Sequence, residues 1–314
     1  HFLIEADTRR CMDGSEEMAA DDAFALLGNE TRIQILKAVW RRTRSEGIER
    51  DGPVSFSTLQ AAVGAPDSGN FSYHLDQLVG PFIARVDGGY VIRRAGSHIV
   101  RAILAGSVTE EASFGPVVVD ETCYRCDSPI AVSYDDDRLY TRCTECDGAV
   151  DADGGAITAL PMPPAGLAGR TPEGLVRSTC ISYFAELGML RADVCPVCAG
   201  RIDLDLEVCT EHAVPEDGLC STCRTEPGTI GEAVCRTCRL YRVFVPMFAA
   251  HSHPAIAETL AARGYNPAAP GYRELCEMLR WPVEPSADGV AYTVPTPDGE
   301  RTVRIDGTLL VNVH

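Results

Sequence analysis

Apolar side chains recur at helical spacing through the first hundred residues and alternate at strand spacing through much of the remainder. Residues 1–19 are polar and acidic with no sustained period, and read as a flexible tail. From Asp21, Phe24, Leu26 and Leu27 begin a helical period that breaks at Gly28-Asn29. Asn29 is placed to cap a second helix whose apolar face is Ile33, Ile35, Leu36, Val39 and Trp40, and which ends in the cationic run Arg41-Arg42-Thr43-Arg44. After a loop at Gly47–Pro53, Ser57 is expected to cap a short helix carrying Leu59, Ala62 and Val63, before a turn at Gly64-Ala65-Pro66-Asp67. Phe71, Leu75 and Leu78 then predict a helix over about Ser68–Val79. Phe82–Val86 and Tyr90–Arg94 alternate around Asp87-Gly88-Gly89, a hairpin signal, and Ala95–Leu104 reads as a closing helix. Helices followed by a two-stranded wing and a last helix predict a winged helix-turn-helix over residues 20–107.

The pattern changes after a link over residues 108–122. Ile130, Val132 and Tyr134, then Leu139 and Tyr140, predict two short strands around the acidic turn Asp135-Asp136-Asp137, in a domain spanning 115–160. Residues 161–170, with Pro161, Pro163 and Pro164, read as an extended connector. A helix over about Glu173–Leu190 follows, with the stripe Val176, Cys180, Phe184, Leu187 and Leu190, and opens a domain over 170–250. In residues 251–314, Pro254–Arg263 and Tyr272–Leu279 look helical, while Gly289–Pro295, Arg301–Ile305 and Leu309–Val313 predict a small β-meander. The fold class is α+β and multidomain: a winged helix, then zinc β-ribbons, then a C-terminal helix and meander unit.

The candidate chemistry sits in the cysteines. Six pairs repeat a two-residue gap: Cys123/Cys126, Cys143/Cys146, Cys195/Cys198, Cys209/His212, Cys220/Cys223 and Cys235/Cys238. They use eleven of fourteen cysteines, leaving Cys11, Cys180 and Cys276 outside the pattern. Zinc takes four soft ligands tetrahedrally and a Cys-x-x-Cys turn delivers two of them, so six half-sites predict three zinc ions. Four protein ligands leave no position for water, which makes the expected role structural. The first four cysteines flank one hairpin and form one site. The other eight ligands admit consecutive, nested or interleaved pairing. Arg201–Val208 alternates as one uninterrupted strand, and consecutive pairing would need that strand sharply bent. Nested pairing needs no bend, because the segments Cys198–Cys209 and Cys223–Cys235 match in length as two arms of a ribbon. Interleaving resembles a cross-brace, with a long step from His212 to Cys220. The nested arrangement is favoured, and all three stay open at this level.

Composition narrows the setting. The net charge is −17, and the 28 basic residues include a single lysine, Lys37. Such acid-rich, lysine-poor composition resembles that of salt-loving archaea and reads as a solvated halophilic surface. Residues 20–107 carry ten basic against nine acidic side chains, so the expected phosphate-facing segment is the one that is not acidic. The run His1–Ile4 is too short for a signal peptide, residue 1 is not Met, and Met12 is a candidate initiator. No apolar stretch is long enough to cross a bilayer, and paired cysteines in a reducing compartment favour metal over disulfide, so a cytoplasmic location with no membrane partner is expected.

The run Asp67-Ser68-Gly69-Asn70-Phe71-Ser72-Tyr73-His74-Leu75-Asp76-Gln77-Leu78 resembles the recognition helix of ArsR-like winged-helix regulators, supported by Leu27-Gly28-Asn29-Glu30-Thr31-Arg32-Ile33 and Gly88-Gly89-Tyr90. That resemblance covers about residues 20–107. The resemblance to the haloarchaeal group with a C-terminal Cys-rich domain extends through Cys195-Pro196-Val197-Cys198 to the C-terminus. It implies a transcriptional regulator, usually a homodimer, that places this helix in the major groove of double-stranded DNA. Carried over by position, Ser68, Asn70, Ser72, Tyr73, His74 and Gln77 would face DNA, with Arg85 and Arg93 of the wing at phosphate. The effector-binding cysteines of metal-sensing ArsR proteins are missing, since residues 20–107 hold no cysteine. No Ser-His-Asp order, phosphate-cradling loop or catalytic carboxylate pair stands out, so the expectation is a regulator and not an enzyme. Two alternatives accompany it. One is a zinc-ribbon adaptor for a protein partner, because the Ser68–Val79 segment lacks Arg and Lys. The other is a thiolate-based redox or metal sensor.

Overall fold

The computed structural model describes residues 18–42, 52–151, 155–215, 218–286, 289–296 and 298–313. The expected tail, apart from Met18 and Ala19, lies outside the described residues, as do Thr43 and Arg44 and most of the Gly47–Pro53 loop. The chain is α+β and divides between Val108 and Thr109 into two compact units.

In the first unit, α1 (Ala20–Leu27), α2 (Glu30–Arg42), α3 (Phe56–Val63) and α4 (Ser68–Leu78) precede a hairpin of β1 (Ile83–Val86) and β2 (Gly89–Ile92), and α5 (Arg94–Leu104) follows. Asn29 caps α2 as expected, its Oδ1 accepting the Arg32 N–H at 3.1 Å. The cap of α3 is Ser55 and not Ser57. The helix already includes Ser57, and Ser55 Oγ accepts the Thr58 N–H at 3.2 Å. Asp67 caps α4 by accepting from Gly69 and Asn70. Arg94 opens α5 instead of extending β2, and Arg93 is the helix's N-cap residue. The expected apolar stripes meet in one core of Ile35, Leu36, Val39, Leu59, Phe71, Leu75, Leu78, Ile83 and Val100. Phe24 does not join it and is 69% exposed.

The hairpin is pinned to the chain before α3 by a bridge between Val54 and Tyr90, whose N–H and C=O groups exchange two bonds of 2.9 Å. That approach requires glycine at 89: its φ is +149°, and an added Cβ would lie 2.2 Å from the Val54 carbonyl oxygen. Gly89→Ala is therefore expected to cost about 3 kcal/mol or more of the first unit's stability, read as a lowered denaturant midpoint. An unchanged midpoint would show that the hairpin does not need this contact.

The second unit carries three antiparallel sheets. β3 (Phe114–Thr122), β4 (Pro129–Asp135), β5 (Arg138–Cys143) and β6 (Thr158–Pro161) form the first, in that order. The expected link over 108–122 is thus an edge strand for most of its length. Its alternation is hidden because Val117, Val118 and Val119 are consecutive and the pairing with β4 shifts register at both ends. The expected connector over 161–170 contains a 3-10 turn, Pro164–Leu167, and then comes α6 (Pro172–Arg191). β7 (Ile202–Val208), β8 (Thr229–Cys235) and β9 (Tyr241–Phe244) make the second sheet. A short helix, α7 (Pro246–Ala249), leads to α8 (Pro254–Ala262) and α9 (Tyr272–Leu279). The third sheet is a meander of β10 (Val283–Ser286), β11 (Gly289–Thr296), β12 (Gly299–Asp306) and β13 (Val311–Val313). The segments anticipated over 115–160, 170–250 and 251–314 share one buried core, in which the α6 stripe meets Ile130, Val132, Leu139, Phe248, Leu260, Leu275 and Val290. Among the described residues, no helix is long and apolar enough to cross a membrane.

Candidate functional sites

The twelve metal-ligand candidates fall into three groups of four, with all ligand atoms of a group within 4.8 Å of one another. The first is Cys123, Cys126, Cys143 and Cys146. The second is Cys195, Cys198, Cys235 and Cys238, and the third is Cys209, His212, Cys220 and Cys223. The last two groups are the nested pairing. Its cause is the ribbon: β7 and β8 pair without a bulge from Ile202↔Cys235 to Val208↔Thr229, which sets Cys198 and Cys235 at the base and Cys209 at the tip.

The spacing fits a tetrahedral ion. Sulfurs lie 3.4 Å apart for Cys126/Cys143, 3.7 Å for Cys123/Cys146, 3.6 Å for Cys195/Cys238 and 3.5 Å for Cys198/Cys235. A tetrahedron with metal–sulfur bonds of about 2.3 Å has edges of about 3.8 Å, whereas a disulfide would need about 2.05 Å. The knuckles are already shaped for thiolate. Backbone N–H groups of Arg125, Glu145 and Thr237 donate to Cys123, Cys143 and Cys235 Sγ, each at 3.4 Å. In four of the five Cys-x-x-Cys turns the residue after the second cysteine is left-handed: Asp127, Ala199, Arg224 and Arg239, with φ of 55° to 60°.

Each centre also holds at least one thiol whose pKa is lowered. Hydrogen bonding from Ser128 brings Cys126 down to about 6, the Cys238 N–H brings Cys235 to about 6, and the N–H groups of Cys223 and Ala213 bring Cys220 to about 5. Burial pushes Cys146 up to about 12. Cys180 and Cys276 are buried core thiols, raised by desolvation, and Cys276 reaches about 12. Cys11 lies outside the described residues.

His212 is oriented as a ligand. Its Nδ1 faces Cys223 Sγ at 3.5 Å, and its Nε2 lies 3.0 Å from the Glu226 carbonyl, so Nε2–H donates and Nδ1 is left for a metal. Gly228 makes room for the ring, since a Cβ there would sit 2.6 Å from it.

The first and third centres are tied together. Arg125, inside the first knuckle, donates from Nη1 to the Gly148 carbonyl at 3.0 Å and to the Gly218 carbonyl at 3.1 Å. Its neighbour Tyr124 donates to Glu226 Oε2 at 3.0 Å, and Glu226 carries the carbonyl that orients His212. Backbone bonds run from Glu226 N–H to Ala149 and from Asp151 N–H to Arg224, and the Arg224 guanidinium pairs with Asp151. Sequence spacing locates the knuckle but gives no sign of what its two intervening side chains reach.

In the first unit, α4 turns Phe71, Leu75 and Leu78 into the core and leaves Asn70, Tyr73 and Gln77 exposed at i, i+3 and i+7, with Ser68 exposed at its start. Tyr73 is 60% exposed and meets the His74 ring edge-on at 5.2 Å. His74 is half-buried with its Nδ1 unpartnered. Ser72 is half-buried and donates to Asp76 at 3.4 Å. Arg85 and Arg93 are both exposed, and Arg85 lies over the Tyr90 ring at 5.6 Å.

Two family models match the chain. One, described as Domain of unknown function (DUF7347), covers residues 20–103, and the other, described as Domain of unknown function (DUF7351), covers residues 120–311. Among curated proteins nothing matches.

Proposed function

Because the chain belongs to the family Domain of unknown function (DUF7351), we propose its role from its own geometry: a cytoplasmic, ArsR-like DNA-binding transcriptional regulator. The first unit is a winged helix-turn-helix whose α4 enters the major groove, with Arg85 and Arg93 at phosphate. The second is a body of zinc ribbons held by three structural zinc ions, serving oligomerisation, partner binding or sensing. The observation that carries this reading is the exposed polar stripe of α4. Ser68, Asn70, Tyr73 and Gln77 stand clear of the core, on a helix capped at one end and backed by a two-stranded hairpin. Asn and Gln side chains pair bidentately with adenine, and Ser and His contact base edges or phosphate. Phe24 of α1 and Leu104 of α5, exposed at 69% and 47%, give a homodimer apolar surface to bury. Four protein ligands close each metal site, so the metals have a structural and not a catalytic role, and no enzymatic step is assigned.

A protein-binding adaptor is the second reading, favoured by one feature of the same helix: α4 has no Arg or Lys and exposes Asp76. Fluorescence anisotropy on genomic and random duplexes in concentrated KCl separates the two. Sequence-selective binding that falls by about a hundredfold in Tyr73→Ala/His74→Ala is expected for the regulator, two lost contacts being worth about 1–3 kcal/mol each. Equal affinity of wild type and double variant would replace the regulator with the adaptor.

A further inference from the structure

Two sheet edges meet at one cavity. β6 ends the four-stranded sheet and β9 ends the three-stranded sheet. All residues of both strands line a single groove of about 370 Å³, a size typical of a ligand site. Which backbone groups point into it follows from the alternation of an antiparallel ladder. The Met162 N–H bonds to the Asp137 carbonyl, so two steps apart Leu160 faces β5 and the intervening Ala159 turns its N–H and C=O outward. The Cys235 N–H bonds to the Leu240 carbonyl, so by the same count Tyr241 and Val243 turn theirs away from β8.

The outward carbonyls have donors. Arg138 Nη1 reaches Ala159 at 3.4 Å, Arg242 Nη1 reaches Tyr241 at 2.9 Å, and the Tyr183 hydroxyl reaches Val243 at 3.4 Å. Among the described residues, no acceptor meets the outward N–H groups of Ala159, Tyr241 and Val243. The groove thus presents three spare donors, one on β6, where Pro161 has no N–H, and two on β9. Its charged lining is Arg138, Arg224, Arg242 and Asp151; Arg224 pairs with Asp151 and Arg242 with Glu186, so Arg138 is the lining cation with no carboxylate partner among the described residues, in a chain carrying −17. Tyr241 and Val243 expose 50% and 45% of their surface on this edge. An open edge with exposed apolar side chains is a surface that soluble proteins ordinarily cover.

We propose that the groove binds an extended acidic segment of a partner protein by strand addition between β6 and β9. Carbonyl oxygens of the segment accept from the spare N–H groups, a carboxylate meets Arg138, and its apolar side chains lie against Tyr241 and Val243. This deepens the partner-binding role given above to the second unit and does not depend on DNA binding by the first.

The test uses the full, metal-loaded chain and two fluorescein-labelled peptides of equal length, one alternating Asp and Val and the other Lys and Val. Anisotropy titration should show the Asp peptide binding at least about tenfold more tightly. Arg138→Glu, an exposed position, should abolish that preference. Val243→Pro deletes an edge N–H that makes no ladder bond, and should weaken the Asp peptide by about tenfold with metal content and far-ultraviolet spectrum unchanged. Equal binding of the two peptides, or no saturable binding of either, overturns the proposal. So does dissociation of a dimer of this chain by Arg138→Glu, which would seat a second copy in the groove. Tight Asp-peptide binding that ignores both variants also overturns the groove, while leaving partner binding by the second unit in place at another surface.

Discussion

Chelating the metals from the native chain is expected to unfold residues 109–314 while α1–α5 stay folded. The second unit places three four-ligand clusters at the ends of its two ribbons, and a structural zinc contributes about 10–16 kcal/mol of apparent binding free energy at neutral pH. A whole domain is stable by only about 5–15 kcal/mol, so a unit stapled three times has no margin without its ions. The first unit has its own core of Ile35, Leu36, Leu59, Phe71, Leu75 and Leu78, and its described residues include none of the twelve ligand candidates. Elemental analysis of the purified protein should return close to three zinc atoms per chain. Addition of chelator should then erase the β-sheet signal of the second unit, expose all eleven cysteine ligands to alkylation and open residues 109–314 to protease, leaving a resistant fragment near residues 20–107. A second unit that keeps its spectrum and protease resistance after metal removal would reduce the clusters to accessories of an adequate apolar core.

The second large effect concerns coupling between centres. Replacing Tyr124 by Phe and Arg125 by Ala leaves all twelve ligands in place, yet it should speed metal release from both the first and the third centre. The removed bonds run from Tyr124 to Glu226 and from Arg125 to Gly148 and Gly218, and Glu226 is the residue whose carbonyl orients His212. At about 1 kcal/mol for each neutral bond and more for the charged donor, release should accelerate on the order of tenfold to a hundredfold. The Cys195/Cys198/Cys235/Cys238 centre has no part in this network and should keep its rate. Timed alkylation with mass spectrometry reports which cysteines become free. Uniform acceleration at all three centres would mean general destabilisation, and acceleration at the first alone would mean that the tie carries no energy between them.

Much of the molecule is legible in residue spacing because the governing interactions are local. Helix period, capping by Asn29, the Asp87-Gly88-Gly89 turn and the Cys-x-x-Cys knuckles involve residues within a few positions of one another. Where a local signal is weak, the expectation fails. Three consecutive valines conceal β3, and two nearby serines compete to cap α3, with the choice falling to whichever lies just outside the first turn. Phe24 follows the helical period of α1 but not the core, because period records a face and not what covers it.

The ligand pairs follow from the order of residues alone, since two thiolates two positions apart converge on one ion through a turn of the backbone. The sequence leaves nested, consecutive and interleaved pairing open, because each satisfies the same local geometry. The unbroken ladder from Ile202↔Cys235 to Val208↔Thr229 decides among them, by holding Cys198 and Cys209 at opposite ends of a straight strand. The tie between the first and third centres and the groove between β6 and β9 belong to tertiary structure for the same reason. They join residues as far as 102 positions apart, and only the packing of one sheet against the next brings such groups within hydrogen-bonding distance.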